Sequence, residues 1–140
     1  MIHATSSGVI AFRTTREKVE YLVLKGRTGD WEFPKGGIEN DEELQQTSLR
    51  ELEEESGITD VKLYPDFKRD YEYMFYSNGE KIMKTVHLFI GHSFQASVDL
   101  SDEHSDHQWR TYEQARGTLT HDAVKEILDD AHDFITKNIV

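Results

Sequence analysis

The stretch "FPKGGIENDEELQQTSLRELEEESGI", residues 33–58, carries seven glutamates, one aspartate and a single arginine. Its first half reads as a loop, with Pro34, Gly36 and Gly37 as breakers. Asn40 can cap a helix with Glu43 three residues on as its capping-box partner, helix formers continue to about Ser56, and Gly57 ends the run. At 3.6 residues per turn Glu51, Glu54 and Glu55 are i, i+3 and i+4 neighbours, so three carboxylates converge on one side of this helix. Like charges so spaced destabilise an isolated helix. Arg50, four residues before Glu54, offers the only local relief, and Leu44, Leu49 and Leu52 form a narrow apolar stripe. A cation resolves the conflict. Hard divalent ions such as Mg²⁺ take carboxylate oxygens and water, and serve sites where phosphate oxygens complete the shell.

Working outward, Ser7 to Phe12 and Val19 to Leu24 are apolar, β-branched runs joined by the polar "RTTREK", the pattern of a hairpin. Val61 to Tyr64, Tyr71 to Tyr76 and Ile82 to Phe94 read as further strands, with "SNG" at 77–79 as the turn between the last two, and Trp109 and Tyr112 mark another short one. From about Thr120, Val124, Ile127, Leu128, Ala131, Phe134 and Ile135 recur at helical spacing, with Asp122 near the positive end. Strands, helix, strands, helix define a layered α/β or α+β domain with a mixed sheet and helices on its faces.

A chain of 140 residues suits one domain, here spanning 1–140. The formal charge of −11 is spread over a chain with recurrent aliphatic and aromatic residues, so it should fold. That acidity repels phosphate backbones, which argues against a nucleic-acid partner. No apolar run is long enough to cross a bilayer, and "MIHATSSGVIAF" lacks the layout of a secretory signal, so the expected address is cytoplasmic, with no membrane association. The absence of cysteine excludes a disulfide framework and thiolate metal sites.

Gly36, Glu42, Arg50, Glu51, Leu52, Glu54, Glu55, Gly57 and Ile58 fill every specified position of the pattern Gly-x5-Glu-x7-Arg-Glu-U-x-Glu-Glu-x-Gly-U, with U apolar. The chain thus resembles the Nudix family, and residues 36–58 its signature box. The resemblance implies an α/β/α sandwich that binds Mg²⁺ or Mn²⁺ and hydrolyses a nucleoside diphosphate linked to another moiety. "WEFPKGGIE", "FKRDYEYMFY", "KTV" and "SDEHSDHQW" resemble the branch of asymmetrical bis(5'-nucleosyl)-tetraphosphatases, which cleave diadenosine tetraphosphate to ATP and AMP. Similar runs occur in Nudix RNA 5' pyrophosphohydrolases, so triphosphorylated RNA ends or a nucleoside triphosphate stand as alternative substrates. A non-catalytic nucleotide sensor is the alternative from another class, and the complete box argues against it.

By this resemblance Glu51, Glu54 and Glu55 are metal ligands and Glu54 doubles as general base, while spacing alone leaves ligand and base interchangeable. Arg50 pairs with a box glutamate and fixes its rotamer. Glu103 matches a glutamate that some members use as a further ligand or base from an opposing loop. The neighbouring His104, a lone histidine, carries no assignment. Lys35 is placed to meet a polyphosphate, with Gly36 and Gly37 permitting close backbone approach, and Lys81 and Lys84 are further phosphate candidates. Tyr73 matches a family tyrosine that stacks on adenine, and His121 falls where relatives place an aromatic on the other side of the base. Asp30 departs from the pattern, since animal relatives usually have histidine there.

Overall fold

The computed structural model describes residues 1–140 except Glu17 and Ala96. Its elements are β1 (Ile2–Thr15), β2 (Lys18–Gly26), β3 (Trp31–Glu32), β4 (Lys35–Gly37), α1 (Leu44–Ser56), β5 (Val61–Ser77), β6 (Glu80–Ser93), β7 (His104–Thr111), α2 (Tyr112–Thr118) and α3 (Asp122–Asn138). The main sheet runs β3-β2-β1-β6-β5, with β4 paired to β1 and β7 to β2. It is mixed: β1 and β6 are parallel and the remaining pairs antiparallel. The expected hairpin is β1–β2, and Asn78 and Gly79 supply the left-handed residues of the β5–β6 turn.

Period-two alternation along the strands separates two cores. Ile10, Phe12, Tyr21, Val23, Val86, Leu88 and Ile90 face one side and pack with Val124, Leu128 and Ala131 of α3. Val9, Ala11, Leu22 and Leu24 face the other, against Leu52 of α1 and Ile58. The result is the α/β/α layering expected. No helix among the described residues is long and apolar enough to cross a membrane.

Three local expectations are corrected. Helix α1 is capped by Glu43, with the Gln46 side chain accepting from the Glu43 N–H at 2.8 Å, and not by Asn40. Asn40 and Asp41 adopt left-handed backbone (φ 50° and 60°), extending the loop by three residues. Their short polar side chains tolerate that region better than most. The two strands expected between Val61 and Tyr76 are one strand with an irregularity between Tyr64 and Lys68, around Pro65. Proline has no N–H for the ladder, and the extra residues turn Phe67 into the core against Phe134. Tyr112 lies in α2, a short helix not anticipated, and its hydroxyl donates to Asp129 of α3 at 2.5 Å.

Candidate functional site

Helix α1 buries an unusual face. Only Leu52 among its leucines is fully buried, and Thr47, Ser48, Glu51, Glu55 and Ser56 fill the rest of the sheet side. Ser48 lets the helix sit close to the sheet through a 2.6 Å hydroxyl–hydroxyl bond to Ser7. The narrow apolar stripe is thus explained, because much of what this helix carries inward is carboxylate. The three clustered glutamates divide: Glu51 and Glu55 are buried, whereas the Glu54 side chain is 55% exposed.

Strand β4 locks onto this face. The Lys35 N–H donates to Glu55 Oε1 (3.3 Å), and Gly37 O accepts from Arg50 (2.8 Å). Between them Gly36 lies against the Glu51 carboxylate, where a Cβ would come within 2.1 Å of its carboxyl carbon. Gly37 has open space around its Cα. Arg50 binds Glu42 through two nitrogens (2.8 and 3.0 Å), Glu51 (2.8 Å) and Glu54 (3.0 Å). Its hydrogen bonds to Glu42 hold that carboxyl down at about 2, aided by the Glu39 N–H. Arg50 is thereby a clamp on three box acids and the β4 backbone.

Glu55 is pushed well above the carboxylate range, first by burial, then by the hydrogen bond and charge of Glu51, with the Lys35 N–H opposing. Two ionised carboxylates about 4 Å apart repel by about 4 kcal/mol at an effective dielectric of 20. The cluster therefore keeps a proton or takes a cation. A buried carboxylate pair suits a hard divalent ion, but among the described residues the exposed Glu54 is not drawn into a common ligand group with Glu51 and Glu55.

Two further residues join Glu55 that sequence reasoning left out. Glu32, Glu55 and His104 each place a ligand atom within 4.8 Å of the others. His104 Nε2 lies 3.2 Å from Glu32 Oε2 and 3.6 Å from Glu55 Oε1, with its side chain 3% exposed. Register explains the meeting. Glu32 pairs with Leu24, and a bulge in the β2–β7 ladder sets His104 opposite Gly26, so both side chains join the α1 side of the sheet. The alternation Trp31-Glu32-Phe33, an acid between two core aromatics, was the only sequence signal for Glu32. Glu103 is exposed, with its N–H on Ser101 Oγ, and His104 takes the inward position.

Lys35 links the carboxylates to a second surface. Its ammonium lies 6.0 Å from the Tyr73 ring centroid, within a ladder of Tyr71, Tyr73 and Phe75 stacked at 6.2 and 5.8 Å along β5. Lys84 pairs with Tyr73 across the hairpin and approaches the Phe75 ring at 5.8 Å. Burial, then the Lys35 charge, pulls the Lys84 ammonium below its ordinary value. Among the described residues neither lysine has an ion-pair partner. Lys81, three residues from Lys84 on the same strand, falls on the opposite face, beside Tyr76. His121 caps α3 and meets Asp30 at 3.0 Å, so the departing residue at position 30 is engaged by the histidine expected at the base.

A mixed sheet between helices, with an acidic helix clamped to a Lys-Gly-Gly strand by one arginine, defines a class. The family model described as NUDIX domain matches residues 3–130, and the chain belongs to that family, the Nudix hydrolases. It is 28% identical over 140 residues to the bis(5'-nucleosyl)-tetraphosphatase [asymmetrical] of Sus scrofa, covering 91% of this chain and 92% of the relative. An RNA pyrophosphohydrolase of Caulobacter vibrioides is 30% identical over 95 residues, covering 58% of this chain and 54% of the relative. Among solved structures, a binary complex of C. elegans Ap4A hydrolase superposes with a TM-score of 0.86 at 24% identity, covering 96% of this chain and 98% of that one.

Proposed function

We propose that the protein is a metal-dependent hydrolase of dinucleoside polyphosphates that cleaves diadenosine tetraphosphate to ATP and AMP. The observation that carries this reading is Lys35. Its backbone N–H bonds a buried box carboxylate, while its ammonium reaches over Tyr73, one exposed ring of an aromatic ladder. A ligand bridging the two regions needs a polyphosphate next to a planar base, and nucleotides have that layout.

In this reading Tyr73 stacks on a base, and Lys35 and Lys84 neutralise phosphate charge along the path from the base to the carboxylates. The exposed edge of β4 at Gly37 admits the chain of phosphates, while Gly36 keeps Glu51 in place. Glu51, Glu54 and Glu55 would hold a divalent cation, which would supply charge neutralisation and lower the pKa of the attacking water. Glu54, the most exposed of the three, takes a proton from the attacking water as its oxygen bonds to phosphorus and the bridging P–O bond breaks. Arg50 positions the acids without touching substrate. Glu103 serves as a further ligand or base from the loop before β7, and His121 lies at the base-binding end with Asp30. Mg²⁺ or Mn²⁺ is the cofactor, one domain over 1–140 is the catalytic unit, and the cytoplasm is the site of action.

The Caulobacter relative supports a second substrate, an RNA 5' triphosphate. Incubation with dinucleoside polyphosphates, nucleoside triphosphates and triphosphorylated RNA, with products separated by chromatography, distinguishes them. ATP plus AMP from diadenosine tetraphosphate at the highest kcat/KM supports the proposal, and preferential release of pyrophosphate from RNA overturns it.

A further inference from the structure

The Glu32–His104 pair lies outside the box, and the reaction proposed above leaves it without a task. We propose that His104 Nε2 and Glu32 Oε2 join Glu55 Oε1 as donors to one cation, giving a mixed nitrogen–oxygen site that favours a first-row transition-metal dication over Mg²⁺. The inference rests on the metal-dependent reading and names which ion that site selects.

Geometry comes first. Adjacent ligands on an ion with bonds near 2.1 Å stand about 3.0 Å apart. The histidine nitrogen is 3.2 and 3.6 Å from the two carboxylate oxygens and all three ligand atoms lie within 4.8 Å of one another, so the trio can close on one ion. Second, the imidazole is buried and has no other polar engagement. Its Nδ1 finds no partner among the described residues, so the polar contacts orienting the ring are those to the carboxylate pair. Third, solvent reaches the site. Glu32, with 27% of its side chain exposed, leaves an approach from solvent.

Donor chemistry then sets the preference. Mg²⁺ favours a full set of oxygens and parts reluctantly with water, whereas a neutral imidazole suits the first-row transition ions. Mn²⁺ is the natural probe, because it accepts both donor types and is paramagnetic.

The test loads the whole protein with substoichiometric Mn²⁺ and records electron spin echo envelope modulation. The proposal expects modulation from a directly bound ¹⁴N, converted to the ¹⁵N pattern by histidine-selective labelling and abolished in His104→Gln. Calorimetry should show Mn²⁺ at least tenfold tighter than Mg²⁺ in the wild type. That advantage should shrink at least fivefold in His104→Gln and in the nearly isosteric Glu32→Gln. The labelled wild type gives its answer without any variant having to fold. Mn²⁺ that binds in a Glu55-dependent way with no nitrogen modulation overturns this inference and leaves the carboxylate reading standing. No Mn²⁺ binding at all overturns both.

Discussion

Gly36 and Glu51 are in such close contact that a side chain at residue 36 cannot coexist with the carboxylate in its place: a Cβ would lie 2.1 Å from the Glu51 carboxyl carbon and 2.3 Å from each oxygen. The glycine is required by volume, since its backbone carries no positive φ. A Cβ added at Gly37 next to it would meet no atom of the described residues within 4 Å. Gly36→Ala is expected to displace Glu51 and lower both metal affinity and turnover at least tenfold, while Gly37→Ala retains metal affinity within about twofold. Calorimetric metal titration of the two variants checks the pair, and equal behaviour would contradict the packing argument.

Glu54 is half-exposed and, among the described residues, its side chain bonds only Arg50, so its removal leaves the core untouched. Glu54→Gln should reduce kcat by about a thousandfold or more, because a glutamine neither accepts the proton nor holds a divalent ion well. The melting temperature of the metal-free protein should stay within about 2 °C of wild type. Turnover close to wild type would remove Glu54 from the chemistry.

Glu42 is held down at about 2 from 4.5 chiefly by its hydrogen bonds to Arg50. A depressed carboxyl contributes stability that is complete above its ordinary value and is lost as pH falls from about 4.5 to about 2. Carbon-13 NMR of the Glu42 carboxyl should therefore show a midpoint near 2. Arg50→Lys, which cannot form the two-nitrogen contact, should raise it toward 4.5. A Glu42 midpoint unchanged in that variant would refute the clamp.

Glu55 has the opposite sign. Its raised value means the metal-free fold prefers it protonated, so stability falls as pH climbs above the ordinary 4.5. With cation removed by chelator at pH 8, Glu55→Gln should melt roughly 3–5 °C above wild type. Added Mn²⁺ should reverse that order, by stabilising the wild type through binding. Scanning calorimetry with and without chelator gives both numbers, and a variant less stable than wild type without metal would mean that Glu55 is not strained by its neighbours.

Lys84 and Lys81 offer a matched comparison. Lys84 shares a face with Tyr73 and stands near Lys35, whereas Lys81 is on the reverse of the hairpin. Lys84→Met should raise KM for diadenosine tetraphosphate about tenfold and Lys81→Met less than twofold. Tyr73→Ala should raise it by about 10- to 100-fold, in line with the loss of one base stack. Steady-state kinetics decides, and a larger effect at Lys81 would place the polyphosphate on the other face.

Much of this arrangement was legible in local pattern. The i, i+3, i+4 spacing of Glu51, Glu54 and Glu55, the Gly57 stop, the β1–β2 hairpin and the α3 periodicity all depend on neighbours within a few residues, and short-range geometry carries such information. The Asn40 cap failed for the same reason in reverse. The competing cap at Glu43 is made by Gln46, and residues 40–41 are drawn into a left-handed turn while Glu42 reaches forward to Arg50.

What local pattern could not hold was depth and partnership across the sheet. Sequence grouped three glutamates as equals, and only packing against β4 decided that Glu51 and Glu55 go inward and Glu54 outward. It paired Lys81 with Lys84, which the two-residue period of a strand sets on opposite faces. Above all, Glu32 and His104 are 72 residues apart and meet because one bulge in β7 reverses the side on which the histidine emerges. A single inserted residue in a ladder leaves no signature in composition or spacing, so the meeting of those side chains is a property of the folded sheet alone.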